Sequence, residues 1–276
     1  MRNVRGPSTP DKRRLVKRAL ARSSSDIVAF QETKLNKEKV NNFISYCKVW
    51  EGIFQEASGA IGGLGVIWNP AQVKVTLMEK TEHWMICNVF SFKEELNFPL
   101  INVYGLTKTL EKYEVWQPLT KKMLEIRNDK VVVVGDFNAL LDLDEKKGGL
   151  RMSNKIMEDF RDFVMQNHLM DVVPKNGTFT WMNRRAKFAH ISERLDRHLI
   201  GESWLESSFQ GSIQGIDDNG WPIKKVHLGG IEGRKKDFVD QLGNSLHAQN
   251  ERQSGSEKDE LVEFGVGCKI GLEDVQ

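Results

Sequence analysis

The most constraining feature of the sequence is a run of four valines, Val131 to Val134, that leads directly into Gly135-Asp136-Phe137-Asn138. Continuous β-branched residues without polar alternation are typical of a strand buried on both faces, which requires covering layers on both sides of its sheet. Asp136 and Asn138 are two positions apart, so in extended chain their side chains project from the same side. The sequence therefore predicts a central strand that carries a carboxylate and an amide to the edge of a sheet.

A second strand delivers another carboxylate in the same manner. Ile27-Val28-Ala29-Phe30 is a short apolar strand that ends in Gln31-Glu32-Thr33. Ligand sites of α/β sheets lie where strands end, so Glu32 and Asp136 are candidates for one site. Each acid also has a plainer interpretation. Gly-Asp favours turns, so Asp136 could simply initiate one, and Glu32 could be a solvent-facing strand end.

The rest of the chain alternates helical and extended patterns, which predicts an α/β domain. The predicted elements are a helix to about Ala21, a helix Lys37–Tyr46, strands at 64–68, Trp84–Phe92 and Leu100–Tyr104, a helix Glu111–Ile126, a helix capped by Ser153, and a final strand pair of Thr178–Asn183 with Leu195–Ile200. Residues 1–223 show no break in composition and are interpreted as one domain. Residues 224–276 are rich in Gly, Gln, Ser and charge, and are predicted to form a degenerate, poorly ordered tail.

Charge is distributed unevenly along the chain. Residues 1–216 carry a net charge of +6 and residues 217–276 a net charge of −4, within a total of +2. A basic front half suits a polyanion such as DNA, with RNA as an alternative, because Lys and Arg displace counterions from phosphates. A solvated helix face would give the same excess of charge.

Cysteine usage and hydropathy limit the compartment. The three cysteines have no paired spacing, which argues against a disulfide partner or a zinc site and for a reducing compartment. No stretch approaches the ~18 apolar residues that a membrane span needs, and the basic N-terminus lacks the apolar core of a secretory signal. We expect an intracellular protein, nuclear or cytoplasmic, that is not secreted and has no membrane partner.

Six short motifs occur in an order that is typical of one family. They are Asn3-Val4-Arg5-Gly6, Gln31-Glu32-Thr33, Asn102-Val103-Tyr104-Gly105, Gly135-Asp136-Phe137-Asn138, Thr178-Phe179-Thr180-Trp181 and Arg194-Leu195-Asp196-Arg197. Over roughly residues 3–223 the sequence resembles the endonuclease/exonuclease/phosphatase family, and within it the endonuclease domain of plant LINE-type (non-LTR) retrotransposons. The resemblance implies an α/β four-layer sandwich, in which two mixed β-sheets pack face to face with helices outside. Because the chain starts two residues before Asn3, the first strand is expected to be truncated.

The resemblance also assigns roles to individual side chains. Glu32, with help from Asn3, would bind a divalent metal, and oxygen ligands favour Mg²⁺, with Mn²⁺ as an alternative. Asp136 would activate the attacking water, Asn138 would hold the phosphate, and Tyr104 would approach it. The implied reaction is metal-assisted hydrolysis of a phosphodiester. A tyrosine in a strand also fits a core or sheet-surface position.

The closing motif departs from the family pattern. Family members close the site with Ser-Asp-His-x-Pro-Ile, whereas this chain has Asp218-Asn219-Gly220-Trp221-Pro222-Ile223. Asn219 and Gly220 therefore stand where the Asp and the His belong, and the His that Asp196 would contact is missing from the motif. Glycine has no side chain to donate a proton or to stabilise charge, so the loss is predicted to cost at least about 10²–10⁴-fold in rate. His198 and His227 lie outside the motif and take no role from it.

Three hypotheses follow from these residues. The first is a Mg²⁺-dependent DNA endonuclease of retrotransposon origin with impaired or absent activity. The second is a catalytically silent remnant that binds nucleic acid, and the third is a truncated product that is only marginally folded. Phosphatase and deadenylase relatives share the Glu32- and Asp136-type motifs, but the Phe-Thr-Trp and Arg-Leu-Asp-Arg blocks favour the LINE group.

A basic segment near the end of the domain supplies candidate contacts to nucleic acid. Arg184, Arg185 and Lys187 form either a solvated hairpin tip or a group that follows phosphates beside the cleft. Trp181 either packs against the domain or offers a surface on which a base stacks.

Overall fold

The computed structural model describes residues 2–3, 13–14, 16–18, 20, 25–57, 62–107, 113–150, 154–172, 179–183, 185, 189–206, 211–216 and 222–228. The strands are β1 (Arg2–Asn3), β2 (Ile27–Gln31), β3 (Glu51–Gln55), β4 (Leu64–Trp68), β5 (Val73–Lys80), β6 (Trp84–Ser91), β7 (Leu96–Tyr104), β8 (Val132–Asp136), β9 (Lys146–Lys147), β10 (Leu169–Asp171), β11 (Trp181–Met182), β12 (Ser192–Glu193), β13 (Asp196–Gly201), β14 (Gly211–Ile216) and β15 (Pro222–Leu228). Among the described residues, the α-helices with both ends defined are α1 (Lys37–Cys47), α2 (Tyr113–Ile126) and α3 (Asn154–Gln166), and short 3-10 helices occupy Leu143–Glu145 and Glu202–Glu206. Residues 13–14, 16–18 and 20 are also helical, in agreement with the helix predicted to end near Ala21.

Two mixed sheets form the body of the domain. The first has the strand order β1-β2-β4-β3, and the second has the order β10-β13-β8-β7-β6-β5. In the first sheet β1 runs parallel to β2, and in the second β7 runs parallel to β8, while the other neighbours are antiparallel. A small sheet, β11-β12-β9, and a hairpin, β14-β15, complete the described strands.

The valine strand β8 lies in the middle of the second sheet and is buried on both faces, as predicted. Val132 and Val134 pack between the two sheets, in a cluster that includes Leu64 and Val66 of β4. Val131 and Val133 face the other way, into a cluster with aromatic residues of α2 and α3. The absence of polar alternation in this strand therefore reports two apolar faces, each covered by a different layer.

Helices cover the outer face of each sheet. On the second sheet, the Trp116 ring of α2 packs in a tilted orientation against Phe160 and Phe163 of α3, at centroid distances of 5.2 Å. On the first sheet, α1 buries Val40, Phe43 and Cys47 at the spacing of one helical face. The order of layers is thus helix, sheet, sheet, helix, and the predicted α/β sandwich is confirmed.

The predicted final strand pair is wrong in its partners. Trp181–Met182 pairs with Ser192–Glu193, whereas Asp196–Gly201 pairs with β8 and β10 in the large sheet. The chain leaves one sheet and enters the other between residues 193 and 196. A run of strand-like residues cannot reveal such a change of sheet, because side-chain alternation continues on both sides of it.

Three further predictions concern the cysteines, membrane-spanning helices and the C-terminal tail. Cys47 and Cys87 are buried free thiols, and burial raises their pKa to about 11 and about 12. In the described parts of the chain, no helix combines the length and the apolar character that crossing a membrane requires. Strand β15 covers Pro222–Leu228, so residues 224–228 of the predicted tail (224–276) form part of a strand, and the remainder of that tail lies outside the described residues.

Candidate active site

Three side chains of the predicted site lie in one row across the second sheet. Tyr104, the last residue of β7, is paired in register with Asp136, the last residue of β8. Asp136 is in turn paired with Asp196, the first residue of β13. Residues paired in register project from the same face of a sheet. Tyr104 belongs to the cluster between the sheets, so the row lies at the edge of that interface.

Glu32 reaches the row from the opposite sheet. It directly follows β2, which packs against β7 and β8. The hydroxyl of Tyr104 donates a hydrogen bond to Oε1 of Glu32 at 2.7 Å. The structure thus brings Glu32, Tyr104 and Asp136 to one place, although 104 positions separate the two acids in the sequence.

The backbone of Glu32 is strained, and two contacts hold it. Its φ angle is 49°, in the left-handed region that non-glycine residues rarely adopt. The next two amides, those of Thr33 and Lys34, donate to the carbonyl oxygens of Gly63 and Gly62 at 3.0 and 3.1 Å. Strain of this kind persists only where the surroundings fix the conformation, and it concentrates at functional sites.

A buried polar layer beneath the row fixes the two sheets relative to each other. Gln31 and Asn102 are both completely buried, and Nε2 of Gln31 donates to Oδ1 of Asn102 across the interface. Nδ2 of Asn102 donates to the carbonyl oxygens of Phe30 and Gly65 at 3.1 and 3.0 Å. A one-residue slip of either strand would break these bonds. Asn102 therefore sets the register in which Glu32 meets Tyr104.

Asn138 joins the site through a turn and not through strand alternation. Strand β8 ends at Asp136, and Asn138 has a φ of 48°. Its amide donates to Oδ1 of Asp136 at 3.1 Å, and its side-chain Nδ2 donates to the carbonyl of Gly105 at 2.8 Å. The expectation that both side chains project from one extended segment is therefore wrong. Asp136 does initiate a turn, so its plainer interpretation holds together with its place in the row.

Two motif glycines allow β7, β8 and the following turn to approach closely. A Cβ on Gly105 would lie 2.1 Å from the carbonyl oxygen of Phe137, and a Cβ on Gly135 would lie 2.0 Å from that of Val103. Both contacts are with backbone atoms, which cannot rotate away. The glycines are required because the backbones at the site lie too close for any side chain.

A buried network of ion pairs connects segments that flank the site. Arg194 and Arg197 are 3% and 0% exposed, and both donate to Glu145 and Asp171. Arg194 Nη2 is 2.8 Å from Asp171 Oδ1, and Arg197 Nη1 is 2.8 Å from Glu145 Oε1. Arg197 also donates to the carbonyl of Ala139 at 3.3 Å. The network ties the segment after Asn138 to the start of β13.

The electrostatics of the network follow from its burial. Burial raises the pKa of Glu145, but hydrogen bonds and the positive charge of Arg197, together with the Leu141 amide, lower it further, so that the net shift is downward. Burial lowers the pKa of Arg197, and the carboxylates of Asp171 and Glu145 raise it above its ordinary value. Glu145 and Arg197 are therefore both charged at neutral pH. Sequence reasoning found the arginines through their motif and missed both acids, which carry no local signal.

His198 lies one row below the candidate site. It is paired with Val134, which is paired with Asn102, so it faces the interface between the sheets. It is 6% exposed, and its Nε2 has no hydrogen-bond partner among the described residues. Burial, together with the positive charge of Arg194, lowers the pKa of His198 well below 6.5. The imidazole is therefore neutral and lies outside the row that carries the carboxylates.

The remaining predicted residues are only partly described. Trp181 is half-buried in the small sheet, and Arg185 is exposed, with its amide 3.1 Å from Oδ1 of Asn183. The side chain of Asn3 lies outside the described residues, although its backbone pairs with Gln31 in β1. The other predicted residues outside them are Arg184, Lys187, Asn219 and Gly220.

The donor set fits a hard divalent cation. Within the described ranges, no three acidic, His or Cys side chains converge on one point. Glu32 and Asp136 lie at this edge and can each offer carboxylate oxygens, which a hard divalent cation can bind together with water and substrate phosphate. Mg²⁺ commonly binds in this manner, whereas an all-protein cage is typical of Ca²⁺ or structural Zn²⁺.

Comparison with known proteins places these residues in a wider context. A model of the family described as Endonuclease/Exonuclease/phosphatase matches residues 3–218. A search of curated proteins found no match. Among solved structures, an AP endonuclease from Archaeoglobus fulgidus superposes with a TM-score of 0.60 at 15% identity, covering 82% of this chain and 94% of that one.

Two further solved structures share the fold. The endonuclease domain of TRAS1, a telomere-specific non-LTR retrotransposon, has a TM-score of 0.57 at 12% identity, covering 79% of this chain and 89% of that one. The 3' phosphatase NExo from Neisseria, solved with a product DNA hairpin, has a TM-score of 0.56 at 19% identity, covering 73% of this chain and 85% of that one. At these identities the likeness establishes the architecture alone.

Proposed function

Because this chain belongs to the endonuclease/exonuclease/phosphatase family, we propose that it is a Mg²⁺-dependent DNA endonuclease of the LINE-retrotransposon type, with impaired turnover in this copy. Family membership supports phosphodiester hydrolysis as the general chemistry. One observation carries the assignment of the site: Tyr104, Asp136 and Asp196 share a row, and Tyr104 bonds to the carboxylate of Glu32 across the sheet interface.

The side chains at this edge divide the work of hydrolysis. Glu32, with Asn3 and Asp136, would hold Mg²⁺, which when bound neutralises charge on the phosphoryl oxygens. Asp136 is 5% exposed and sits at the strand end, where its carboxylate can accept a proton from an attacking water. Tyr104 fixes the Glu32 carboxylate through its hydrogen bond, and its phenol would approach the scissile phosphate.

The phosphate itself is assigned to the turn after β8. Asn138 is anchored by its bonds to Gly105 and Asp136, so its amide is oriented before substrate arrives. Preorganisation of this kind keeps the reorganisation cost out of the reaction step. Asp196 closes the row on the far side of Asp136, where its carboxylate would help Asp136 to orient the attacking water, a role that does not require the missing His.

DNA is proposed as the substrate on the basis of charge and surface. Residues 1–216 carry the net charge of +6, and exposed Arg185 lies in the segment next to the small sheet, close in sequence to the row at Asp196. The 3' phosphatase from Neisseria was solved with a product DNA hairpin. We therefore assign Arg184, Arg185 and Lys187 to phosphate contacts and Trp181 to the adjoining surface; RNA is the alternative polyanion.

Impaired turnover is proposed from the closing motif. Asn219 and Gly220 replace the Asp and His of the family pattern, so a charge-stabilising or proton-donating group is missing. This departure also favours a second candidate function, that of a nucleic-acid-binding protein without turnover. Both functions use the same basic surface, and only catalysis separates them.

The decisive experiment is nicking of supercoiled plasmid by the purified full chain in Mg²⁺. Nicking should vanish with EDTA and fall at least about 100-fold in Glu32→Gln, while Glu51→Gln, an exposed acid on the edge strand β3, serves as the matched control and retains wild-type nicking. Combining Asn219→Asp with Gly220→His should raise the Mg²⁺-dependent rate. If neither the wild type nor the variant with both Asn219→Asp and Gly220→His nicks DNA, and the wild type binds DNA in a salt-sensitive manner, the nucleic-acid-binding protein without turnover is the correct function instead.

A further inference from the structure

The backbone that introduces Asp196 is held by one side chain from another segment. Between Glu193 and Asp196 the chain leaves the small sheet and enters the large one. Here two consecutive amides point to the same acceptor: the N–H groups of Leu195 and Asp196 donate to Oγ1 of Thr180 at 3.0 and 2.9 Å. Consecutive amides in an extended strand point in opposite directions, so this geometry marks a sharp corner.

Thr180 is itself fixed at this corner. Its own amide donates to the carbonyl of Glu193 at 3.0 Å, so that Thr180 contacts the corner from both its backbone and its side chain. The side of the corner towards β8 is held by the amide of Phe137, which donates to the carbonyl of Leu195 at 2.9 Å. These bonds hold the corner so that Asp196 starts β13 directly opposite Asp136.

We propose that Thr180 is a positioning residue for Asp196, which it places in the row with Asp136 and Tyr104. The proposal rests on the proposed function for its catalytic consequence, but its structural content stands on the contacts alone. The hydroxyl oxygen is the feature that matters, because it alone accepts both amides. Without that acceptor, two half-buried N–H groups lose their partner and the corner relaxes. Displacing a catalytic group by about 1 Å can cost about 100-fold in rate.

Two substitutions separate the hydroxyl from the volume of the side chain. Thr180→Val keeps the shape and removes the acceptor, while Thr180→Ser keeps the acceptor and removes a methyl group. Thr76→Val, at an exposed position on the edge strand β5, controls for the substitution itself. In the folded full-length protein, Thr180→Val should lower the nicking rate at saturating DNA about 10- to 100-fold, with the half-saturating concentration unchanged. Thr180→Ser and Thr76→Val should retain the wild-type rate.

A double-mutant cycle distinguishes action through Asp196 from general loosening. If Thr180 acts through that carboxylate, Thr180→Val should cause no further loss of rate in an Asp196→Asn background. An equal loss in both backgrounds would overturn the proposal, since Thr180 would then act elsewhere. The cycle is run well below the unfolding temperature of each variant, so that all four proteins are fully folded.

A readout independent of catalysis keeps the proposal testable if the wild-type protein does not nick DNA. Amide hydrogen exchange of the ¹⁵N-labelled full chain should show Leu195 and Asp196 protected in the wild type, and about tenfold faster in Thr180→Val, while Leu199 in the same strand is unchanged. The carboxyl ¹³C resonance of Asp196 should shift in the same variant. Absent nicking with these two changes would refute the proposed function and support the positioning role; unchanged exchange and resonance would overturn the positioning role.

Discussion

Removing the charge of Glu145 should destabilise the whole domain, because this carboxylate is the centre of the buried ion network. It accepts from Arg194 at 3.0 Å, from Arg197 through both terminal nitrogens, and from the Leu141 amide at 2.6 Å. Its side chain is only 8% exposed. Glu145→Gln preserves the volume, removes the negative charge, and turns one acceptor into an NH₂ group that faces guanidinium donors.

The magnitude follows from what remains after the substitution. Two buried arginines would then face the single carboxylate of Asp171. Removing one partner of a buried ion pair leaves an uncompensated charge and typically costs about 3–5 kcal/mol. We expect a loss of free energy of unfolding in that range. This is a large share of the roughly 5–15 kcal/mol that stabilises a typical domain.

Equilibrium urea unfolding, followed by tryptophan fluorescence, measures this loss. Trp116 and Trp204 are 2% and 1% exposed and report on opposite faces of the second sheet. Glu125→Gln, which removes an acid that pairs with Lys122 on the surface, is the matched control and should cause no measurable change. A destabilisation by Glu145→Gln of less than about 1 kcal/mol would refute the reasoning, since the carboxylate would then be compensated by solvent.

The pH dependence of the same variant provides an independent check of the sign. The folded-state pKa of Glu145 lies below its ordinary value of 4.5, so its carboxylate contributes stability above that pH, which is lost as the pH falls through the lower, folded-state pKa. The difference in stability between wild type and Glu145→Gln should therefore shrink below about pH 4.5. A difference that stays constant on acidification would contradict the assignment of the stabilisation to the charged form.

Three further outcomes follow from the contacts at the site. Tyr104→Phe removes the hydrogen bond to Glu32 and should lower the free energy of unfolding in urea by about 1–2 kcal/mol. It should also raise the Mg²⁺ concentration that is needed for half-maximal nicking. Gly105→Ala places a methyl group 2.1 Å from the carbonyl oxygen of Phe137 and should destabilise by about 1–3 kcal/mol, with thermal melting as the measurement. Burial lowers the pKa of His198 below 6.5, so below that pH the unfolded chain gains a proton that the folded chain excludes, and wild-type stability falls. His198→Phe removes this group, so the stability of the variant should depend less on pH between pH 7 and 5.

Local patterns were sufficient for the central strand and for both acids. The valine run has no polar residue to alternate, and only burial on two faces explains that pattern, so the strand and its layers were predictable. The same reasoning placed Glu32 and Asp136 at strand ends. Their meeting depends on the bond between Gln31 and Asn102 across two sheets, for which no local pattern exists. The predictable part of the site is therefore the part that one strand determines alone.

The remaining features depend on contacts between distant segments. Glu145 lies 49 and 52 positions before the arginines that it binds, and a lone acid in a polar loop gives no sign of such burial. Asn138 is a similar case. Its spacing of two residues from Asp136 predicts that both side chains project from the same side of an extended strand, whereas the positive φ of Asn138 places it in a turn. Edge strand β5 is absent from the predicted elements, although Val73 and Val75 alternate with the exposed Lys74 and Thr76 in a pattern that is typical of a half-buried strand.

If the proposed function is correct, these contacts predict that nucleic-acid binding outlasts catalysis in this chain. Glu32, Tyr104 and Asp136 are held by hydrogen bonds and backbone pairing from residues between 30 and 197, including the Gln31–Asn102 layer and the network around Glu145. The substitutions that distinguish the closing motif lie at 219 and 220, outside that set. Under the proposed function, loss of a proton donor there would remove transition-state stabilisation, but it would leave in place the carboxylates and the basic surface that are proposed to bind a metal and a phosphate backbone. Measured DNA affinity and measured turnover should therefore separate in this protein, with restoration at 219 and 220 raising the rate constant and leaving the affinity nearly unchanged.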